Sequence, residues 1–160
     1  MNARLRSVAA LIVFTGTCLL VGVSGALVTA TSVREWYPLI QKPSWTPPSA
    51  AFGPVWTVLY LLMGVSVWLV WRDSLGGKRR RALLIFAIQL ALNGIWSFVF
   101  FGLRNPGRAA LEIVLLWSAI VATMLAFARI SRVAAGLLLP YLLWVSFAVA
   151  LNLTVWNLNR

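Results

Sequence analysis

Residues 8–28 read VAALIVFTGTCLLVGVSGALV, an uncharged and mostly aliphatic run that follows Arg4 and Arg6 and precedes Arg34. A helix needs about 20 apolar residues to cross the hydrocarbon core of a bilayer, and this run has that length. A cleavable signal sequence shares the basic start and the small residues at the end, here Val23-Ser24-Gly25-Ala26, but its apolar part is only about 7 to 15 residues long. The run is therefore read as a retained first membrane helix, over about 7–28. The same pattern recurs outward from it. Uncharged gaps of 29, 22 and 27 residues separate Lys42 from Arg72, Arg81 from Arg104 and Arg132 from Arg160, while 109–128 carries one charge, Glu112. Five such stretches predict an all-α integral membrane bundle of five transmembrane helices, near 7–28, 54–71, 82–103, 109–128 and 133–156. The chain, 1–160, then forms a single membrane domain whose one long connection is 29–53.

Composition supports this reading. Hydrophobic residues make up 61% of the chain, against about 45–50% in soluble domains. Fourteen basic residues against three acidic ones give a net charge of +11. In a soluble protein that balance would suggest nucleic acid, but here the cations lie between apolar spans, so the expected partner is the lipid bilayer and no nucleic acid is expected. Nine of them fall at the N-terminus and in the second and fourth connections, and five at the other end. The positive-inside rule then predicts a cytoplasmic N-terminus.

Missing residues narrow the chemistry. There is no histidine and one cysteine, Cys18, inside the first span. Zinc, iron–sulfur and histidine acid–base chemistry have no ligands or bases here, so no metal site is expected. Glu112 follows Pro106 and Gly107 in the first turns of the fourth helix, where a negative charge complements the helix dipole and reaches the interface. No second intramembrane acid is present to form a catalytic pair or a proton relay with it.

The connection 29–53 attracts functional interest because long ordered loops over a rigid scaffold commonly cover sites. It carries Glu35-Trp36-Tyr37-Pro38 and Lys42-Pro43-Ser44-Trp45-Thr46-Pro47-Pro48. Its four prolines hold the backbone extended and present the intervening rings in fixed directions. Nine tryptophans exceed what an interfacial belt at Trp68 and Trp71 explains, and Trp117 has no evident partner. Trp56 and Tyr60 share one face of the second helix. Gln89, Asn93, Trp96 and Phe100 form a stripe on the third, and Trp144, Ala148 and Asn152 a ridge on the fifth, with Tyr141 just before it. Amides within a span must face the interior, so Asn93 and Asn152 either bond between helices or line a pocket of flat rings and a few donors suited to a large planar ligand.

Together, Glu35-Trp36-Tyr37, the Lys42–Pro48 run, Val55-Trp56-Thr57-Val58-Leu59-Tyr60, Gln89-Leu90-Ala91-Leu92-Asn93 with Trp96 and Phe100-Phe101-Gly102, and Pro140-Tyr141-Leu142-Leu143-Trp144 with Ala148 and Asn152 resemble the TspO/MBR family. These are the tryptophan-rich sensory proteins that include the translocator (peripheral benzodiazepine receptor) proteins. The resemblance covers nearly the whole chain. It implies a five-helix bundle, usually a homodimer, with the first loop folded as a lid (Lys42, Pro43, Trp45, Pro47 and Pro48) over a cavity. It implies a ligand such as protoporphyrin IX or a related tetrapyrrole, with no covalent cofactor, and in some members sterol-like, isoquinoline or benzodiazepine-type ligands. Carried over by position, the ligand-binding residues are Trp36, Tyr37, Trp56, Tyr60, Asn93, Trp96, Trp144, Ala148 and Asn152. Animal members also carry a tyrosine followed closely by a basic residue near the C-terminus. Residues 151–160 have no tyrosine, so the expectation is a bacterial member, in a bacterial cell membrane, that acts on porphyrins.

The expected function is a membrane receptor or sensor for tetrapyrroles. Lys42 or Arg34 would sit near the ring's propionates. The alternatives are a light-dependent porphyrin-degrading enzyme, in which Trp56 and Trp144 would be the reacting rings, and a porphyrin or sterol transporter. Catalysis is the weaker expectation because no acid, base or metal ligand is available. Pumping is disfavoured by the lack of an internal repeat and of coupling acids.

Overall fold

The computed structural model describes residues 2–160. Helix α1 (Ala3–Glu35) is followed by a loop over 36–48, α2 (Ser49–Asp73), α3 (Gly76–Ser97), a π-helical turn (Phe98–Gly102), α4 (Pro106–Ala128), α5 (Arg132–Leu137) and α6 (Leu139–Leu158). Five helical spans, α5 and α6 counting as one, are long and apolar enough to cross a membrane.

Every helical span starts earlier than the sequence reading placed it. α1 runs 33 residues, about 50 Å, and continues through Thr29–Val33 because those residues contain no breaker. The lid is correspondingly shorter, 36–48 rather than 29–53. α2 begins at Ser49, so Pro54 lies inside the helix, where its missing N–H removes one hydrogen bond near an exposed end. The fifth span is broken at Leu138 (φ −87°, ψ −7°), with Pro140 in the first turn of α6. Short turns have local causes. Gly76 opens α3 at φ 64°, in the left-handed region that glycine tolerates. Asn105 caps α4 by accepting a hydrogen bond from the Arg108 N–H at 2.9 Å, with Pro106 behind it. Ser131 caps α5 through the Ala134 N–H.

Helix α1 lies outermost. Of its described residues only Cys18 and Ser32 are buried. It approaches α2 closely at two glycines: a Cβ on Gly64 would come within 2.5 Å of the Thr15 Cα, and one on Gly22 within 2.5 Å of the Tyr60 ring. The core beneath is formed by Met63, Val67 and Val70 of α2, Ile113, Leu116 and Ile120 of α4, and Tyr141 and Val145 of α6. The Trp68 Nε1–H donates to the Ser7 carbonyl at 3.0 Å, and the Ser66 hydroxyl to the Ala134 carbonyl at 2.7 Å. The start of α1, the end of α2 and the start of α5 therefore share one end of the bundle. The lid occupies the other.

Two sequence expectations change, and a third residue gains a structural partner. Glu112 is buried at 9% exposure, and neither carboxylate oxygen has a hydrogen-bond partner among the described residues. It does not reach the interface, because its face of α4 is covered by neighbouring helices. Trp117 does have a partner: its Nε1–H donates to the Ser146 hydroxyl at 2.8 Å. Trp68, read as an interfacial residue, ties two helices together.

Candidate functional site

Asn93 on α3 lies between α2 and α6. The Tyr60 hydroxyl donates to the Asn93 Oδ1 at 2.6 Å, and the Asn93 Nδ2 donates to the Tyr141 hydroxyl at 3.1 Å. All three side chains are buried. An amide inside a span is costly unless bonded, and this position satisfies Asn93 while joining three helices. One turn nearer the lid, the Trp96 Nε1–H donates to the Asn152 Oδ1 at 3.0 Å, and the Asn152 Nδ2 donates to the Pro106 carbonyl at 2.8 Å. This second link joins α3, α6 and the start of α4.

A cavity sits above these links and under the lid. Tyr37 covers it, Phe52 and Trp56 line it from α2, and Trp96, Phe100 and Phe101 from α3 and the π turn. Helix α6 adds Trp144, Phe147, Ala148, Leu151 and Asn152. The rings form an ordered wall. Trp56 stacks on Tyr60 with centroids 5.5 Å apart and planes 29° apart, and Trp96 stacks on Phe100 at 5.3 Å and 28°. Phe52 meets Trp144 edge-on at 5.9 Å. The space between the rings is about 30 Å³, far below the several hundred Å³ of a site holding a drug-sized ligand. The π turn contributes directly, since its i→i+5 bonding puts more residues in each turn and brings the adjacent Phe100 and Phe101 onto the same cavity. The Ser32 hydroxyl secures the turn by donating to the Phe101 carbonyl at 2.5 Å.

Of the nine residues read from the sequence as ligand-binding, Tyr37, Trp56, Trp96, Trp144, Ala148 and Asn152 line this cavity. Tyr60 and Asn93 lie beneath it, in the hydrogen-bonded layer. Trp36 packs edge-on against Phe100 at 5.7 Å, behind the wall. The lid residues have structural partners of their own. The Lys42 ammonium donates to the carbonyls of Tyr37 at 2.5 Å and Ile40 at 2.9 Å, and lies 4.8 Å from the Tyr37 ring centroid. It is turned into the lid rather than toward the cavity, while Arg34 is exposed on α1. The Pro43 carbonyl accepts from both the N–H and the hydroxyl of Thr46, closing a tight turn. Trp45 rests edge-on against Phe147 at 5.6 Å, and Pro47 leads into Pro48, which precedes the first turn of α2. Burial pushes the Tyr37 hydroxyl above the ordinary tyrosine range, which keeps it a neutral donor.

Phe52, Phe101, Phe147 and Leu151 were not assigned to the site from the sequence, and Phe100 was read only as part of the helix-three stripe. Phe52, Trp56 and Tyr60 form a stripe at four-residue spacing that becomes visible once α2 starts at Ser49. Phe147 and Leu151 lie three and seven residues beyond Trp144, on the ridge already read.

The architecture is that of an α-helical integral membrane protein with an aromatic cavity beneath a proline-rich loop. The TspO/MBR family model matches residues 14–157, and the chain belongs to that family. It is similar to the tryptophan-rich protein TspO of Chlorobaculum tepidum, with 47% identity over 90% of this chain and 92% of that protein. It is 44% identical to the human translocator protein over 79% of this chain and 76% of that one. With the tryptophan-rich sensory protein of Cereibacter sphaeroides it shares 38% identity over 78% and 77% of the two chains.

Proposed function

We propose that this protein is a membrane receptor or sensor that binds a tetrapyrrole such as protoporphyrin IX, or a drug-like polycycle, between the lid and the bundle. The observation that carries the proposal is the cavity wall: flat rings from α2, the π turn and α6 converge on one space that has the Asn152 amide as its polar floor. The sensory and translocator names of its relatives support the receptor role. A ring of that size exceeds the volume of the cavity, so entry in this reading requires the lid to lift and the rings of Tyr37 and Phe52 to part. The same proposal has the N-terminus in the cytoplasm of a bacterial cell, from the charge bias, and the protein working as a homodimer.

Titration of purified protein with protoporphyrin IX, followed by quenching of tryptophan fluorescence, tests the site. Trp144→Ala and Trp56→Ala are each expected to weaken binding about tenfold, from the area and stacking of one indole. Binding equal to that of the unsubstituted protein would overturn the assignment. Light-dependent degradation of the ring is a second reading, favoured by the position of Trp56 and Trp144 on the cavity wall, where an indole can donate an electron to an excited porphyrin. Illumination of the complex should then give a product that free porphyrin in detergent does not form.

A further inference from the structure

At the bundle end opposite the lid, a second hollow of about 480 Å³ lies against α3 and α4. Its rim carries Lys78 and Arg81 from the first turns of α3 and Arg129 just beyond α4. All three side chains are exposed, and among the described residues none has a salt bridge or a side-chain hydrogen bond. The acid at this end, Asp73, is already held by Arg72 at 2.6 Å. Among the described residues no acid lines the hollow, so its rim is an uncompensated triple positive charge.

Below the rim the lining changes character. Ala82, Ala122 and Ala126 leave the space open between the helices, and Ile85 and Leu125 wall it. Lys78, Ala82 and Ile85 follow helical spacing on α3, and Ala122, Leu125 and Arg129 do so on α4. Seven residues of helix make the groove about 10 Å deep along the helix axes. A free anion would use only the rim. A molecule with an anionic head and an aliphatic tail uses the whole surface, and the depth at which cations give way to alanine and leucine is that of a headgroup passing into its acyl chains.

We propose that this groove is a binding site for an anionic glycerophospholipid, with the phosphate between Lys78, Arg81 and Arg129 and an acyl chain lying over the three alanines. Such a site differs from general attraction of basic loops to an acidic leaflet, because it assigns the lipid a fixed place and stoichiometry.

The full chain, purified in zwitterionic detergent, is titrated with phosphatidylglycerol or phosphatidylcholine, and bound lipid is counted by native mass spectrometry. One phosphatidylglycerol per protomer is expected to persist where phosphatidylcholine is lost. Replacing Lys78, Arg81 and Arg129 by glutamine should weaken it about fivefold per cation and about a hundredfold together. Arg80→Gln with Arg132→Gln removes two charges from the same end outside the groove and should leave the bound lipid in place. Ala126→Phe, which keeps every charge and fills the groove, should also expel it, with helical circular dichroism confirming the fold of each variant. Undiminished binding by the triple variant, an equal loss in the Arg80/Arg132 variant, or displacement by millimolar inorganic phosphate would each overturn the proposal.

Discussion

The side chain of Asn159, at the end of α6, pairs with the backbone of Gln41 in the lid. Its Oδ1 accepts the Gln41 N–H at 2.9 Å, and its Nδ2 donates to the Gln41 carbonyl at 2.9 Å. The two residues are 118 apart in the sequence. This pair of hydrogen bonds fastens the middle of the lid to the last turn of the chain, while Trp45 on Phe147 holds its far side. Two exposed hydrogen bonds contribute about 1 kcal/mol each, so Asn159→Ala should speed amide hydrogen exchange of 39–46 roughly thirtyfold without altering exchange in α3 or α4. Unchanged protection of the Gln41 amide would show that the pairing does not restrain the lid.

Tyr37 gives the same lid an alkaline limit. Burial raises its folded-state pKa above the unfolded value, so the stability it contributes is complete below the ordinary tyrosine pKa of about 10 and is lost as pH rises through the higher folded value. Lid protection should fall in that alkaline window and stay level from neutral pH to about 10. Tyr37→Phe keeps the ring under Lys42 and against Phe100 and should remove the hydroxyl's contribution, which a hydrogen-exchange pH series would read directly.

Glu112 presents the reverse of a stabilising charge. Neither oxygen has a partner among the described residues in its buried position, and an unpaired carboxylate costs more to bury than a neutral amide of the same shape. Glu112→Gln is therefore expected to raise Tm in detergent by a few degrees at neutral pH. A fall of several degrees would mean that the carboxylate is answered by a bonded group.

Close approach of α1 to α2 rests on Gly64, whose added Cβ would meet the Thr15 backbone at 2.5 Å. Backbone atoms cannot move aside as the end of a side chain can, so Gly64→Ala should cost about 1–3 kcal/mol. At Gly16 an added Cβ would have nothing within 4 Å, and Gly16→Ala should stabilise by about 0.5–1 kcal/mol through helix propensity alone. Thermal unfolding of the pair separates packing from helix propensity.

Much of the fold was legible because charges avoid hydrocarbon: the gaps between Arg6, Lys42, Arg81 and Arg132 locate the spans without reference to any contact. Helix ends were less legible. Hydropathy reports where the bilayer stops, whereas Thr29–Val33 and Ser49–Gly53 remain helical beyond that point. The site was readable where spacing carries it, as at Trp144, Ala148 and Asn152. It was missed where geometry departs from 3.6 residues per turn, as at Phe101, which the π turn brings beside Phe100 of the stripe already read. Asn93 and Asn152 were read as interior amides, but their assignment to hydrogen-bonded links among three elements needed the partner helices in place. Glu112 was misread because position in the first turns of a helix does not reveal what covers that face.

Under the proposed function, the small volume of the cavity, about 30 Å³, makes affinity a property of two equilibria. A ligand too large for that space binds only the fraction of molecules whose lid is raised, so its apparent dissociation constant is the intrinsic one divided by that fraction. Substitutions that loosen the lid far from the rings, Asn159→Ala among them, should then tighten apparent binding while leaving every ring contact as it was. Under the proposed function, affinity is set at the Asn159–Gln41 pairing as well as at the wall.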